Sequence, residues 1–305
     1  MRRMIAVLAA ALVAPALATA SPASAQVAPI DPAAAMKGQL KPKHGVQFSE
    51  TAKLTYDGRS FMSQTTKGAY EFNKSGVAAS DTKFQIKISK DLRELLKGEE
   101  GETLSAFAEQ TRLISVKGKN YLNGGAFSEG LPEGKSWVRV TGKDVIPPKG
   151  MTSQPIDVTE PKTYGRLLAD ATTTVPGGKV GGARTTRYKG TITVGELYKL
   201  SPSFRKTQGE RPTGSAAKTK LTWSIWVDTR GLPRRVFTYS EEELGKGLGA
   251  LRDSVDTYYT AWGSRVTVQE PPAGKVVDIK DLDEDVPDIT RLPTDINGTL
   301  SLVRE

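Results

Sequence analysis

The 305-residue chain has no cysteine, one histidine and only 7% aromatic residues. The first absence excludes both a disulfide framework and a lipidated cysteine, so the fold must hold by burial alone. The second removes the usual base of a Ser-His-Asp or Cys-His group and argues against zinc. His44 also stands among Lys41, Pro42 and Lys43, in a stretch without periodicity. Long apolar runs are missing too. The longest, residues 4–17, falls short of the ~20 residues of a membrane-spanning helix. It reads instead as the core of an export leader over residues 1–25, with Arg2 and Arg3 before it and Ala23-Ser24-Ala25 as the cleavage site ahead of Gln26. The expectation is a secreted chain, active in the cell envelope or beyond it and not lipid-anchored.

Charge has one prevailing sign. The formal net charge of +9 falls to +7 when Arg2 and Arg3 leave with the leader, and the basic residues are spread from Lys37 to Arg304. No stripe of bases with interleaved aromatics stands out along the chain. The expected neighbours are therefore anionic envelope lipid or polymer, by peripheral contact with an anionic membrane surface, and not nucleic acid.

Residues 26–45, with Pro29, Pro32 and Pro42, read as a flexible linker. Short strands separated by turn signals follow, with Asp57-Gly58, Lys67-Gly68 and Lys117-Gly118 as turns. Residues 91–97 and 161–172 carry leucines at helical spacing, the second opening on Pro161. Residues 176–182 and 201–220 read as loops, the longer one mobile. Leu221, Trp223, Ile225 and Val227 alternate with Thr222, Ser224 and Trp226, the pattern of a half-buried strand, and Ala261-Trp262-Gly263 reads as the turn of a final hairpin. A polar tail occupies residues 283–305. The fold class is α+β, dominated by an antiparallel sheet.

Candidate chemistry fails residue by residue. Gly130-Leu131-Pro132-Glu133-Gly134-Lys135-Ser136 resembles a phosphate loop, but its glycines are one residue too close and it leads into a strand. Asp281, Asp283 and Asp285 alternate like a calcium loop, yet Val286 replaces the required glycine and Leu292 the bidentate glutamate. The runs Glu99, Glu100, Glu102 and Glu241, Glu242, Glu243 lack the aromatic setting of a sugar cleft and read as solvated. No enzyme, metal or cofactor is expected.

What stands out is four tryptophans, 137, 223, 226 and 262, all in or beside strand patterns. Four segments accompany them in order along the chain. They are Gly134-Lys135-Ser136-Trp137, the run Thr186-Arg187-Tyr188-Lys189-Gly190-Thr191, the turn Asp228-x-x-Gly231-Leu232-Pro233-Arg234-Arg235-Val236, and Trp262-Gly263-x-x-Val266-x-Val268-x-x-Pro271-Pro272. This order over residues 46–282 resembles the LolA/LppX-like (LppX/LprG-type) family of actinobacterial envelope lipid carriers, without the cysteine those lipoproteins carry at the leader's end. The resemblance implies a strongly curved antiparallel sheet, a half-barrel, with helices covering its concave face over an apolar cavity. On that reading Leu113, Trp137, Leu167, Leu168, Ile192, Trp223, Ile225 and Val236 line the cavity, and Arg187, Arg234 and Arg235 meet a head group. The expected activity is non-catalytic binding or carriage of an acyl lipid or other hydrophobic small molecule by a monomer. The alternative is an envelope protein-interaction or sensor module on the same scaffold.

Overall fold

The computed structural model describes residues 30–95, 108–128, 130–243 and 249–282. The leader, the Glu99–Glu102 run, Asp283, Asp285 and the tail lie outside them. Twelve strands form one sheet: β1 (His44–Tyr56), β2 (Arg59–Asn73), β3 (Gly76–Ile88), β4 (Thr111–Val116), β5 (Lys119–Asn123), β6 (Trp137–Val140), β7 (Thr173–Val180), β8 (Ala183–Thr193), β9 (Lys220–Asp228), β10 (Pro233–Glu243), β11 (Ala250–Arg265) and β12 (Val276–Asp278). Their order is β12-β6-β5-β4-β3-β2-β1-β11-β10-β9-β8-β7. Every pairing is antiparallel except β12 with β6, and the sheet stays open between its edges, β12 and β7. Among the described residues the helices are short: α1 (Pro32–Gln39), α2 (Lys90–Leu95), α3 (Pro161–Ala169), α4 (Val194–Leu200), α5 (Pro202–Gln208) and α6 (Gly214–Lys218).

Local chemistry explains the tight turns. Asp57-Gly58 and Lys117-Gly118 have φ of 46° and 77°, and of 52° and 69°, so both pairs turn in the left-handed region that twisted hairpins demand. Lys67-Gly68 does not turn. β2 runs straight through it, and a Cβ on Gly68 would strike the Asp81 carbonyl oxygen of β3, so this glycine permits a close approach between strands. The expected final hairpin is likewise one continuous strand. Ala261 and Gly263, at φ 53° and 76°, make an irregularity opposite Gly45 and Gln47, after which β11 still pairs with His44. There Trp262 turns inward, donating Nε1–H to the Pro233 carbonyl at 2.7 Å and packing on Phe72 and Tyr259.

Three segments read as loop or linker are ordered elements. Asp31 caps α1 by accepting from the Ala33 N–H at 2.9 Å, Pro32 occupies its first turn, and Met36 is wholly buried. His44 accordingly opens β1 rather than lying in a linker. Residues 202–218 hold α5 and α6, the first capped by Ser201. Residues 176–180 belong to β7, where an edge strand with a register shift between Pro176 and Gly178 tolerates the missing N–H.

The strands alternate cleanly. On β1, Val46, Phe48, Glu50, Ala52 and Leu54 are buried while Gln47 and Lys53 are exposed. That buried side, the inner face, carries two apolar clusters. One gathers Leu54, Phe84, Ile86, Leu113 and Val138 under Ile146 and Met151 of a strap formed by residues 141–160. The other gathers Phe48, Tyr70, Trp223, Ile225 and Val236 against Tyr164, Leu167 and Leu168 of α3 and Met36 of α1. A third, smaller group, Ala79, Ile114, Val116 and Tyr121, packs with Trp137 apart from both.

Candidate functional site

Between the two inner clusters the sheet is polar yet buried. Glu50 of β1 faces Thr66 on β2 and Thr257 on β11, and all three are at most 3% exposed. These residues fasten the strap. The Glu50 carboxylate accepts from the Ser153 N–H at 2.7 Å, from Thr257 Oγ1 at 3.0 Å and from Thr152 Oγ1. Gln64 and Thr66 donate to the Met151 carbonyl at 3.3 and 3.4 Å. Gln154 donates to Thr257 at 3.1 Å and accepts from Thr238 at 3.1 Å. Burial pushes the Glu50 carboxyl above its ordinary value, and the bonds from Thr152, Ser153 and Thr257, with the charge of Lys149, bring it only part of the way back. Within the strap Asp157 behaves oppositely. Burial would raise it, but its ion pair with Lys149 and its bonds from Thr159 outweigh burial and hold it below the usual carboxylate range.

The expected ligand residues divide between the faces. Leu113 lies in the first inner cluster; Leu167, Leu168, Trp223, Ile225 and Val236 lie in the second, with half-buried Ile192 against it. Trp137 is not with them. It packs in the third group, with the Arg112 guanidinium 5.4 Å above its ring. Arg187 and Arg235 also sit on the outer face, 6.0 and 4.5 Å from the Trp226 ring centre. Arg235 further bonds both Asp256 carboxylate oxygens at 2.8 Å. Arg234 pairs with the buried Asp228 at 2.8 Å, where Asp228 also accepts from the Arg230 and Leu232 N–H groups of the turn. Each expected head-group arginine thus has an identifiable partner on the outer face or at the β9–β10 turn. The strand alternation was legible, but it does not say which side is inner.

Two of the clefts on the described surface stand out, and none of the eight expected lining residues borders either. The larger, about 320 Å³, lies between β5, β6 and β12 and is lined by charges that satisfy one another. Arg139 bonds Asp278 twice at 2.6 Å, and Glu270 accepts from Tyr121 at 2.7 Å with Lys117 and Lys119 at 3.2 and 3.5 Å. Bonds from Tyr121 and Lys117 hold Glu270 down at about 2, whereas burial, reinforced by Glu270, pushes Tyr121 up to about 12. The smaller cleft, about 50 Å³, separates Lys149, Thr152 and Asp157 of the strap from Phe204 and Thr207 of α5. Among the described residues no three His, Cys, Asp or Glu converge as a metal site, and no helix is long and apolar enough to cross a membrane.

No family model matches the chain, and no curated protein matches it. Solved structures similar to it include a DUF1329 family protein from Desulfovibrio piger, at 9% identity and a TM-score of 0.22 over 74% of this chain and 88% of that one. A LolA superfamily protein from Nitrosomonas europaea aligns at 9% identity and 0.22 over 79% and 93%. A porin-like protein from Bacteroides uniformis aligns at 10% identity and 0.27 over 72% and 98%. These scores are too low to carry an argument, and no property of those proteins passes to this chain on their account.

Proposed function

We propose that this chain is a non-catalytic binding protein for an acyl-bearing or other hydrophobic molecule, acting as a secreted monomer without a lipid anchor, its sheet serving as the half-barrel that the LolA/LppX-like sequence pattern implies. One observation carries the reading. The strap is fastened to the sheet by hydrogen bonds along its middle, at Glu50, Gln64, Thr66 and Gln154, and again at Ile146, which exchanges bonds with Asn120 and accepts from Ser115, whereas Ile156 and Val158 on the α3 side meet the second cluster by apolar contact. In the described state the chain's own side chains fill both apolar halves, so an acyl chain enters by lifting the cover from one half while the polar belt keeps the strap in register. Each methylene it buries contributes about 0.8 kcal/mol. A buried donor with no acceptor among the described residues, Trp223 Nε1, lies in the α3 half and offers a polar partner there. The alternative reading as a protein-interaction module rests on the basic surface and on a mobile loop at residues 201–220; α5 and α6 replace the loop, and the basic surface remains.

The test is native mass spectrometry of the purified chain with solvent extraction, followed by titration with a brominated fatty acid. The expected outcome is a lipid-sized mass increment and quenching of indole fluorescence that is lost in Trp223→Phe but kept in Trp226→Phe. An unchanged mass together with no quenching at saturating fatty acid rejects the reading.

A further inference from the structure

The registers of eight strands bring one row of outward side chains into line across the outer face. From β8 inward it reads Arg187, then Trp226 on β9, Arg235 on β10 and Tyr258 on β11. It continues through Ser49 on β1 to Lys67 on β2, Lys83 on β3 and Arg112 on β4. Five of these eight residues are cations and none is acidic. At about 4.8 Å per strand the row is ~34 Å long and one residue wide.

Two of its arginines are built alike. Arg235 bonds Asp256 twice at 2.8 Å and lies over Trp226; Arg112 bonds Asp81 at 2.8 and 2.6 Å and lies over Trp137. The carboxylates fix each guanidinium over its ring and use only part of its five donors. Between them Lys67 and Lys83 stand directly opposite each other, both exposed, with no carboxylate within ion-pair distance among the described residues. Like charges so placed oppose pairing of the strands, and a bound anion converts that cost into attraction. Tyr258, 38% exposed, adds a partly accessible ring between Ser49 and Arg235, whose guanidinium lies 5.1 Å from the ring centre.

From this row we infer that the outer face is a track for a linear anionic polysaccharide, one carboxylate or sulfate of the polymer meeting each cation and a sugar ring lying on Tyr258. Linearity decides the partner. Asp81 and Asp256 flank the row, so a membrane, which averages charge over an area, meets acids and bases together, whereas a chain laid along the row meets five cations and no acid. The repeat of a pyranose chain is also close to the spacing of strands. Trp226 is occupied by Arg187 and Arg235, which leaves no pair of free rings for nucleic-acid bases.

The experiment titrates the full purified chain with polygalacturonate, with neutral dextran, phosphatidylglycerol vesicles and single-stranded DNA as separate arms, at several salt concentrations. Polygalacturonate is expected to bind tightest, weakening with salt in proportion to the cations engaged. Lys67→Gln with Lys83→Gln should lower its affinity about tenfold and flatten the salt slope, while Lys67→Arg with Lys83→Arg retains both. A charge-matched pair on the helices, Lys162→Gln with Lys206→Gln, should leave binding within about twofold. The inference is overturned if polygalacturonate fails to bind at low salt, if vesicles or DNA bind as tightly, or if the two glutamine pairs lose affinity equally. Fatty-acid quenching, read on the same variants, should be unchanged, so the two proposals fail separately.

Discussion

Trp223 and Trp226 are three residues apart on one strand and live in different solvents. Trp223 points inward, 1% exposed, against Gly190 on β8 and the apolar residues of α3. Trp226 points outward, half-buried between two guanidinium groups. The same side chain is space-filling on one face and a platform for cations on the other. The inner face is therefore governed by volume, and the outer face by charge geometry. Mutations should separate the two by both size and salt dependence.

The largest expected effect is on the inner face. Trp223→Ala should lower unfolding free energy by about 3–5 kcal/mol, read from urea denaturation, because a fully buried ring is lost and the cover cannot collapse into its place. Trp223→Phe should cost far less, since it also removes a buried N–H without an acceptor. Gly190→Ala comes next, at about 1–3 kcal/mol, because a Cβ there meets the Trp223 ring and one of the two must shift. A cost for Trp223→Ala no larger than that of Trp226→Ala would erase the contrast between the faces.

Glu50 sharpens the comparison through pH. Its carboxyl is raised in the folded chain, so the folded state holds the proton more firmly than the unfolded one. The sign follows: its penalty is absent below the ordinary carboxylate value, where both states are protonated, and grows as pH rises through the raised folded value. Glu50→Gln should remove that decline, so that the difference in urea midpoint between variant and parent widens from pH 4 towards pH 8. Glu270 acts in the opposite sense and a lower window, its contribution being lost only as pH falls from the ordinary value of 4.5 towards about 2. A difference independent of pH would mean that Glu50 is not desolvated beneath the strap.

Much of the sheet was legible from alternation and turn chemistry. The β9 pattern around Trp223, the turn at Asp57-Gly58 and the proline-opened α3 all follow from local rules. Failures came where a local signal had a long-range cause. Gly68 looks like a turn and is instead a point of close strand approach; Trp262-Gly263 looks like a hairpin tip and is a bulge that aims an indole inward. The α1 segment has little amphipathic pattern of its own, and its order comes from Met36 meeting the second cluster. The polar belt had no sequence signal either, because Glu50 and Gln64 of the first hairpin and Thr238 of β10 meet only through the strap, which lies far from all three in the chain. For the same reason the cationic row is invisible in sequence: its eight members become neighbours only through register.

The smallest expected effect tests the outer face most directly. Trp226→Ala removes the ring beneath Arg235 but leaves the Arg235–Asp256 pair and the strand pairing in place, so its cost should be about 1 kcal/mol. Arg235→Lys keeps the charge while losing the fork that bonds Asp256 and stacks on the indole. A double-mutant cycle of these two changes should give a coupling of about 0.5 kcal/mol at low salt, because removing the ring and removing the planar group destroy one shared contact. Coupling near zero, with full additivity, would show that Arg235 is held by Asp256 and Tyr258 without the indole, which would then be ordinary sheet packing. Measured coupling instead makes the indole part of the device that orders a cation on an otherwise solvated face.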